Sequence, residues 1–319
     1  MSYGKTYQLA IDGYIYDGWF VLRDYEKYFD KQFLLQLLNS EYMQNQYERF
    51  SAGGIVQNIS SDIVYKTVLP HTSLKEQKKI ADCLTSIADR IIAETQKLNT
   101  LKAHKKGLMQ QLFPAEGETL PKLRFPEFQD SGEWEEKKLE DISSFINRKV
   151  PLEQVSLFNY ISTENLLPDY GGVVTASKLP PIGSATRFLK NDILISNIRP
   201  YLKKVWLADK DGAASNDVIV IRSKAGVIHQ YLAFLLKNDK FIDSVMEGAK
   251  GVKMPRGDIS LMKQYPLALP PIPEQQKIAD CLTSIDEAIA AQSQAINLLK
   301  LHKKGLMQQL FPSVEEVNG

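Results

Sequence analysis

Six basic side chains, Lys178, Arg187, Lys190, Arg199, Lys203 and Lys204, fall between residues 178 and 204 against a single acid, Asp192. A second group, Lys250, Lys253 and Arg256, sits in the glycine-bearing string MEGAKGVKMPRGD. Lysine and arginine gathered in loops beside glycine suit contact with a phosphate backbone, and an arginine fork matches the major-groove edge of guanine. Tyr170, Asn197 and Tyr201 lie nearby and offer further groups for bases or backbone. Singly, each basic residue is an ordinary surface charge; as two loop clusters they point to nucleic acid. The candidates are Lys178, Arg187, Arg199, Lys203, Lys204, Lys253 and Arg256. The whole chain carries a net charge of only +1, so a local patch must do any such binding.

Catalytic patterns are missing. The sequence holds no GxxxxGK[ST] loop, no GxGxxG, no GxSxG and no Asp-Pro-Pro-Tyr string. Four histidines and two cysteines form no metal-ligand spacing, and two cysteines make no disulfide scaffold. Pro126-Glu127 followed by Glu135-Glu136-Lys137 faintly resembles a nuclease metal site. However, residues 127–141 carry seven acidic side chains and read as a solvated stretch.

The elements that must position the basic loops are organised by a duplication. Residues 76–114, EQKKIADCLTSIADRIIAETQKLNTLKAHKKGLMQQLFP, return at 274–312 as EQQKIADCLTSIDEAIAAQSQAINLLKLHKKGLMQQLFP, an offset of 198. Weaker similarity runs upstream: FLLQLL from Phe33 parallels YLAFLL from Tyr231, Gly53 parallels Gly251, and Leu9-Ala10 parallels Leu207-Ala208. The stretch from about 119 to 204 has no counterpart in the first copy. Ile80, Leu84, Ile87, Ile91, Leu98, Leu101, Leu108 and Leu112 follow the heptad steps of a coiled-coil seam, broken by Glu94 and Lys105. The second copy keeps the seam from Ile278 to Leu310, with Gln292 and Lys303 at the same two breaks. Such polar interruptions set register and orientation. Each helix would be roughly 58 Å long at ~1.5 Å per residue. Pro273 and Glu274 suit a helix start, and Pro114 and Pro312 stop both helices. The two seams pair antiparallel, with Cys83 and Cys281 as small buried residues beside them and no disulfide between them.

Between the helices lies a domain. Residues 158–161, 192–195 and 218–222 read as strands, and 228–247 as a helix. The fold class is α+β, with a small, mostly antiparallel sheet or partial barrel. Hydrophobic residues at 44% exclude disorder over most of the chain. No apolar run approaches the ~18–20 residues of a membrane span, and the start MSYGKTYQLAIDGY is not a secretory signal, so a cytoplasmic location is expected.

These strings resemble a known family. LRFPEF from Leu123, EWE from Glu133 and LEDI from Leu139 look like the opening of a target recognition domain of specificity (S) subunits of type I restriction–modification systems. PLALPPIPEQQKIA from Pro266 resembles that domain's exit, MPRGDISLMK its approach, and the helices ending GLMQQLFP the family's two spacer helices. The resemblance covers nearly the whole chain. It implies a non-catalytic subunit with two recognition domains, each reading half of a split site on double-stranded DNA, and an antiparallel helix pair as the ruler. Modification (M) subunits holding S-adenosylmethionine would dock on the helices, with Gln110, Gln111, Gln308 and Gln309 as candidate contacts. Restriction (R) subunits would bring ATP and Mg, so this chain itself binds no cofactor. The expected domains are a partial recognition domain at 1–73, spacer helices at 74–114 and 273–312, and a complete recognition domain at 121–270. The shortened first domain also suggests self-association or a second S fragment. The other reading is a coiled-coil adaptor that binds protein and not DNA.

Overall fold

The computed structural model describes residues 4–16, 18–51, 59–115, 117–249, 251 and 253–312. They form two units, Met1–Thr100 with Ile289–Gly319, and Leu101–Ala288. The duplication is visible helix by helix. Helices α1 (Lys31–Leu38), α2 (Glu41–Ser51), α3 (Ser61–Lys66) and α4 (Leu74–Leu112) each begin 198 residues before α6 (His229–Leu236), α7 (Asp239–Glu247), α8 (Ile259–Lys263) and α9 (Ile272–Leu310). A short α5 (Leu139–Ile142) has no such twin.

The single helix expected over 228–247 is two. Asn238 adopts extended backbone, and its side chain accepts a hydrogen bond from Lys240 N, capping α7 and ending the run from α6. An amide side chain that satisfies a free helical N–H competes with helix continuation at its own position.

The expected sheet is three sheets in the second unit. Strands β2 (Ser143–Ile146), β6 (Ile193–Ser196), β7 (Val205–Leu207) and β9 (Val218–Ser223) form one antiparallel sheet in the order β2-β9-β6-β7. Strands β3 (Lys149–Pro151), β4 (Tyr160–Ile161), β5 (Ser184–Phe188) and β8 (Gly212–Ala214) form another, ordered β3-β5-β8-β4, with β4 and β8 parallel. The apolar strings at β6 and β9 do not alternate with polar residues because both faces are buried. Ile193, Ile195, Ile219 and Ile221 share a core with Tyr231, Leu232 and Phe241 of the helices. Leu194, Val218 and Val220 share another with Ile161, Phe188 and Trp206, toward the second sheet.

The domain's two ends are tied together. Strand β1 (Glu135–Lys138) pairs antiparallel with β10 (Pro266–Leu269). Arg124 of the opening string donates from Nε and Nη2 to both carboxylate oxygens of Glu274, each at 2.8 Å. That forked pair is buried, and charge-assisted bonds of this kind fix geometry as well as energy.

The helix pair follows the expected seam. Every seam position is buried or half-buried on both helices. In the first unit, Ala81 and Leu84 at the start of α4 share a core with Leu306, Leu310 and Phe311 at the end of α9. In the second, Met109, Leu112 and Phe113 share one with Ile278, Ala279 and Leu282. The pairing is therefore antiparallel. At one polar break, Gln292 Nε2 donates to Glu94 Oε2 at 2.7 Å and to Glu94 O at 3.0 Å. These are equivalent positions of the two copies, so the helices meet there through their own counterparts. At the other break Lys105 pairs with Asp286 at 2.6 Å; Ala88 stands at the position equivalent to Asp286, so Lys303 has no carboxylate at that place.

Cys83 corrects an expectation: it is exposed, while Cys281 is half-buried, and both are free thiols. Both cysteines immediately precede a seam leucine, a step of ~100° away from the seam; Cys281 is half-covered because it packs against the second unit's core, which has no equivalent at Cys83 among the described residues. No helix among the described residues is long and apolar enough to cross a membrane.

Candidate nucleic-acid interface

The loop after β6 and the loop before α8 are stitched together by backbone. Ile198 and Arg256 form an antiparallel bridge, Arg199 N donates to Pro255 O at 2.8 Å, and Gly257 N donates to Asn197 O at 3.3 Å. Asn197 N in turn donates to Asp217 O at 2.8 Å, which adds the β8–β9 turn. Arg199 (φ 51°) and Lys203 (φ 53°) take left-handed backbone on either side of a 3-10 turn over Pro200–Leu202. Non-glycine residues occupy that region rarely, and here the bonded surroundings hold both. Gly257 is required at the junction: a Cβ there would lie 2.8 Å from Val245 Cγ1, 2.2 Å from Met262 Cε and 3.1 Å from Asn197 Oδ1.

This stitching brings Arg199 and Arg256 onto adjoining backbone, Arg256 opposite Ile198 and Arg199 one residue further on, both exposed. Arg256 Nη2 lies 3.1 Å from Asp217 Oδ1. The neighbouring Asn216 Oδ1 accepts from Lys149 Nζ at 2.7 Å, and the same ammonium donates to Thr186 Oγ1 at 2.9 Å. Arg187 N donates to Arg148 O at 2.8 Å, and both side chains are exposed. The paired strands β3 and β5 and the bonded loops beside them thus carry a run, Arg187, Arg148, Lys149, Asn216, Asp217, Arg256 and Arg199. Three expected residues, Arg187, Arg199 and Arg256, belong to it. Arg148 and Lys149 were missed by sequence reading; their adjacency ahead of a strand was the available signal.

The other candidates fall elsewhere. Lys253 is exposed three residues before Arg256, Lys178 is exposed between β4 and β5, and Lys190 is exposed at the turn after β5. Lys250 lies outside the described residues. Lys203 Nζ binds Asp239 Oδ1 at 2.6 Å, at the start of α7. Lys204 Nζ donates to Thr163 O at 2.6 Å. Burial pushes the Lys204 ammonium below its ordinary range, Glu164 opposes that shift and Arg199 adds to it. Both lysines brace the loop from within the domain. Tyr170 does the same, its N donating to Lys203 O at 3.0 Å and its ring packing on the helical core. Its hydroxyl is held well above the ordinary phenol range, chiefly by burial and then by Asp239. Tyr201 is half exposed at the tip.

Gln110, Gln111, Gln308 and Gln309 are all exposed on the helices. Gln308 Nε2 donates to Glu41 Oε2 at 3.0 Å, so that side chain is engaged within the first unit. Among the described residues no group of His, Cys, Asp and Glu is placed to hold a metal ion.

The family model for the type I restriction modification DNA specificity domain matches residues 131–301, more than half of the 319. The specificity subunit of the type I restriction enzyme MjaVIII of Methanocaldococcus jannaschii is 29% identical over 197 residues, 59% of this chain and 43% of that protein. The chain spans less than half the length of the curated relatives it matches. The fold is similar to that of the type I restriction–modification S subunit from M. genitalium, with a TM-score of 0.55, 15% identity, and 89% of this chain and 73% of that one covered. It is also similar to a chain from a study of complex assembly and conformational transition of the type I R-M system. There the TM-score is 0.59 with 16% identity, covering 89% of this chain and 71% of that one.

Proposed function

The chain belongs to the type I restriction modification DNA specificity family, and from that premise we propose that it is the non-catalytic, sequence-reading subunit of a type I restriction–modification complex. In this reading, residues 121–270 bind double-stranded DNA. The observation that carries it is the bonded run of Arg187, Arg148, Lys149, Arg256 and Arg199 over the paired ends of β3 and β5 and the adjoining loops. Lysines and arginines at the flanks of such a run neutralise phosphates and fix register, while arginines at the tip reach base edges. Asp217 pairs with Arg256 before DNA arrives, which lowers the ordering entropy lost on contact.

The helix pair α4 and α9 is the docking platform for methyltransferase (M) subunits, with Gln110, Gln111 and Gln309 free of the bond that engages Gln308. S-adenosylmethionine belongs to the M subunit, and ATP and Mg to the restriction (R) subunit. The complex works on DNA in the cytoplasm. Copurification with the M subunit, followed by sequencing of methylated adenines, tests the reading. Methylation at one defined motif is expected. No complex and no methylation would favour the coiled-coil adaptor.

A further inference from the structure

Among the described residues, 7–16 and 18–22 of the first unit carry many exposed large apolar side chains. Leu9, Ile11, Tyr14, Tyr16, Trp19, Phe20, Val21 and Leu22 are between 44% and 108% exposed. The duplication shows what this segment is. Leu9-Ala10 aligns with Leu207-Ala208 at the helical offset of 198. Asp12-Gly13, Val21 and Arg23 then align with Asp211-Gly212, Val220 and Arg222 at 199, the first copy being one residue shorter. Residues 7–23 are therefore the counterpart of β7, β8 and β9. In the second unit those strands are paired by β6, β5, β4 and β2. All four partners come from residues 143–196, the part of the second copy that has no twin in the sequence.

The consequence is quantitative. Val218, Ile219, Val220 and Ile221 are 3%, 8%, 1% and 0% exposed. Their counterparts Trp19, Phe20, Val21 and Leu22 are 53%, 45%, 52% and 44% exposed. No strand forms among the described residues 4–29. A chain that supplies the ladder pairs strand-type backbone and covers its exposed apolar side chains at once. Arg222 forks onto the buried carboxylate of Asp192 at 2.6 and 2.7 Å, while its counterpart Arg23 is exposed. Among the described residues, the face is covered neither by an apolar sheet nor by a buried acid at Arg23.

We infer that residues 7–23 are the docking surface for the front half of a recognition domain, a polypeptide equivalent to residues 121–204, with strands like β2, β5 and β6 and an acid at the place of Asp192. The internal template identifies that occupant: the same sequence pattern, elsewhere in this chain, is covered by that element. The specificity-subunit reading enters only in calling the occupant a recognition-domain half.

The test is a variant chain in which a second copy of residues 121–204 is joined ahead of residue 7. Hydrogen exchange at 19–22 is expected to slow by ~10-fold or more, with Trp19 emission shifting to the blue. Arg23→Ala in that variant is expected to remove part of the gain. A graft carrying Leu194→Asp and Ile195→Asp is expected to give no protection. Unchanged exchange in the intact graft, or equal protection by the doubly substituted one, overturns the proposal. So does a dimer of the ungrafted chain at micromolar concentration that Phe20→Asp with Leu22→Asp dissolves, since the occupant is then a second copy. No reading involves DNA, so failure here leaves the DNA-reading role standing, and failure of DNA binding leaves this one.

Discussion

Gln77 and Gln275 hold equivalent places in the duplicated helices and make the same three hydrogen bonds. Gln77 Oε1 accepts from Asp30 N at 2.8 Å, and its Nε2 donates to Tyr28 O at 2.9 Å and Thr72 O at 2.8 Å. Gln275 Oε1 accepts from Ile228 N at 2.9 Å, and its Nε2 donates to Gly226 O at 3.2 Å and Pro270 O at 2.8 Å. Each partner in one set lies 198 residues from its twin in the other. Both side chains are buried, at 0% and 1% exposure. The duplicated unit therefore includes a polar node that fastens the incoming backbone to the first turn of the long helix.

Gln275→Leu is expected to cost about 3 kcal/mol, because a half-buried N–H, a half-buried carbonyl and a buried carbonyl lose their partner while the side-chain volume is kept. Denaturant unfolding checks this. A loss under about 1 kcal/mol would mean that water reaches these groups.

Glu274→Ala should destabilise the protein by about 3–5 kcal/mol, since it strands the Arg124 guanidinium in a buried site. The Glu274 hydrogen bond holds that guanidinium above its ordinary range, against burial. Replacing both residues with leucine should recover most of the loss, and a double-mutant cycle on unfolding free energies reads the coupling.

Arg199→Ala and Arg256→Ala should each weaken DNA binding and lower the salt slope of log affinity by about 1 if phosphate is the contact, with relaxed sequence preference if it is guanine. Lys203→Met behaves differently: it breaks the Asp239 pair and reduces stability while leaving the salt slope unchanged. Titrations across salt separate the two classes.

Stability should fall at acid pH partly through His229. Burial holds its imidazolium below the ordinary value of 6.5. The unfolded chain then binds more protons between the folded value and 6.5, so stability rises with pH through that window and is lost below it. His229→Gln is expected to flatten the difference in melting temperature between pH 7 and pH 5.

Local pattern was enough for the long helices, their seam and their antiparallel pairing, because period, length and polar breaks are written along each helix. It was enough for β6 and β9 as well, whose apolar runs reflect burial on two faces. The duplication told which segments are equivalent. What tertiary structure alone decided is the state of each basic residue. Lys203 and Arg199 look alike along the chain, yet Asp239 takes one and leaves the other open, across 36 residues of sequence. Lys204 is claimed by a carbonyl 41 residues away, and Arg148 and Lys149 join the face only because β3 pairs with β5. Ammonium and guanidinium groups bind whichever acceptor the fold brings within about 3 Å, and that distance is set by packing between distant segments.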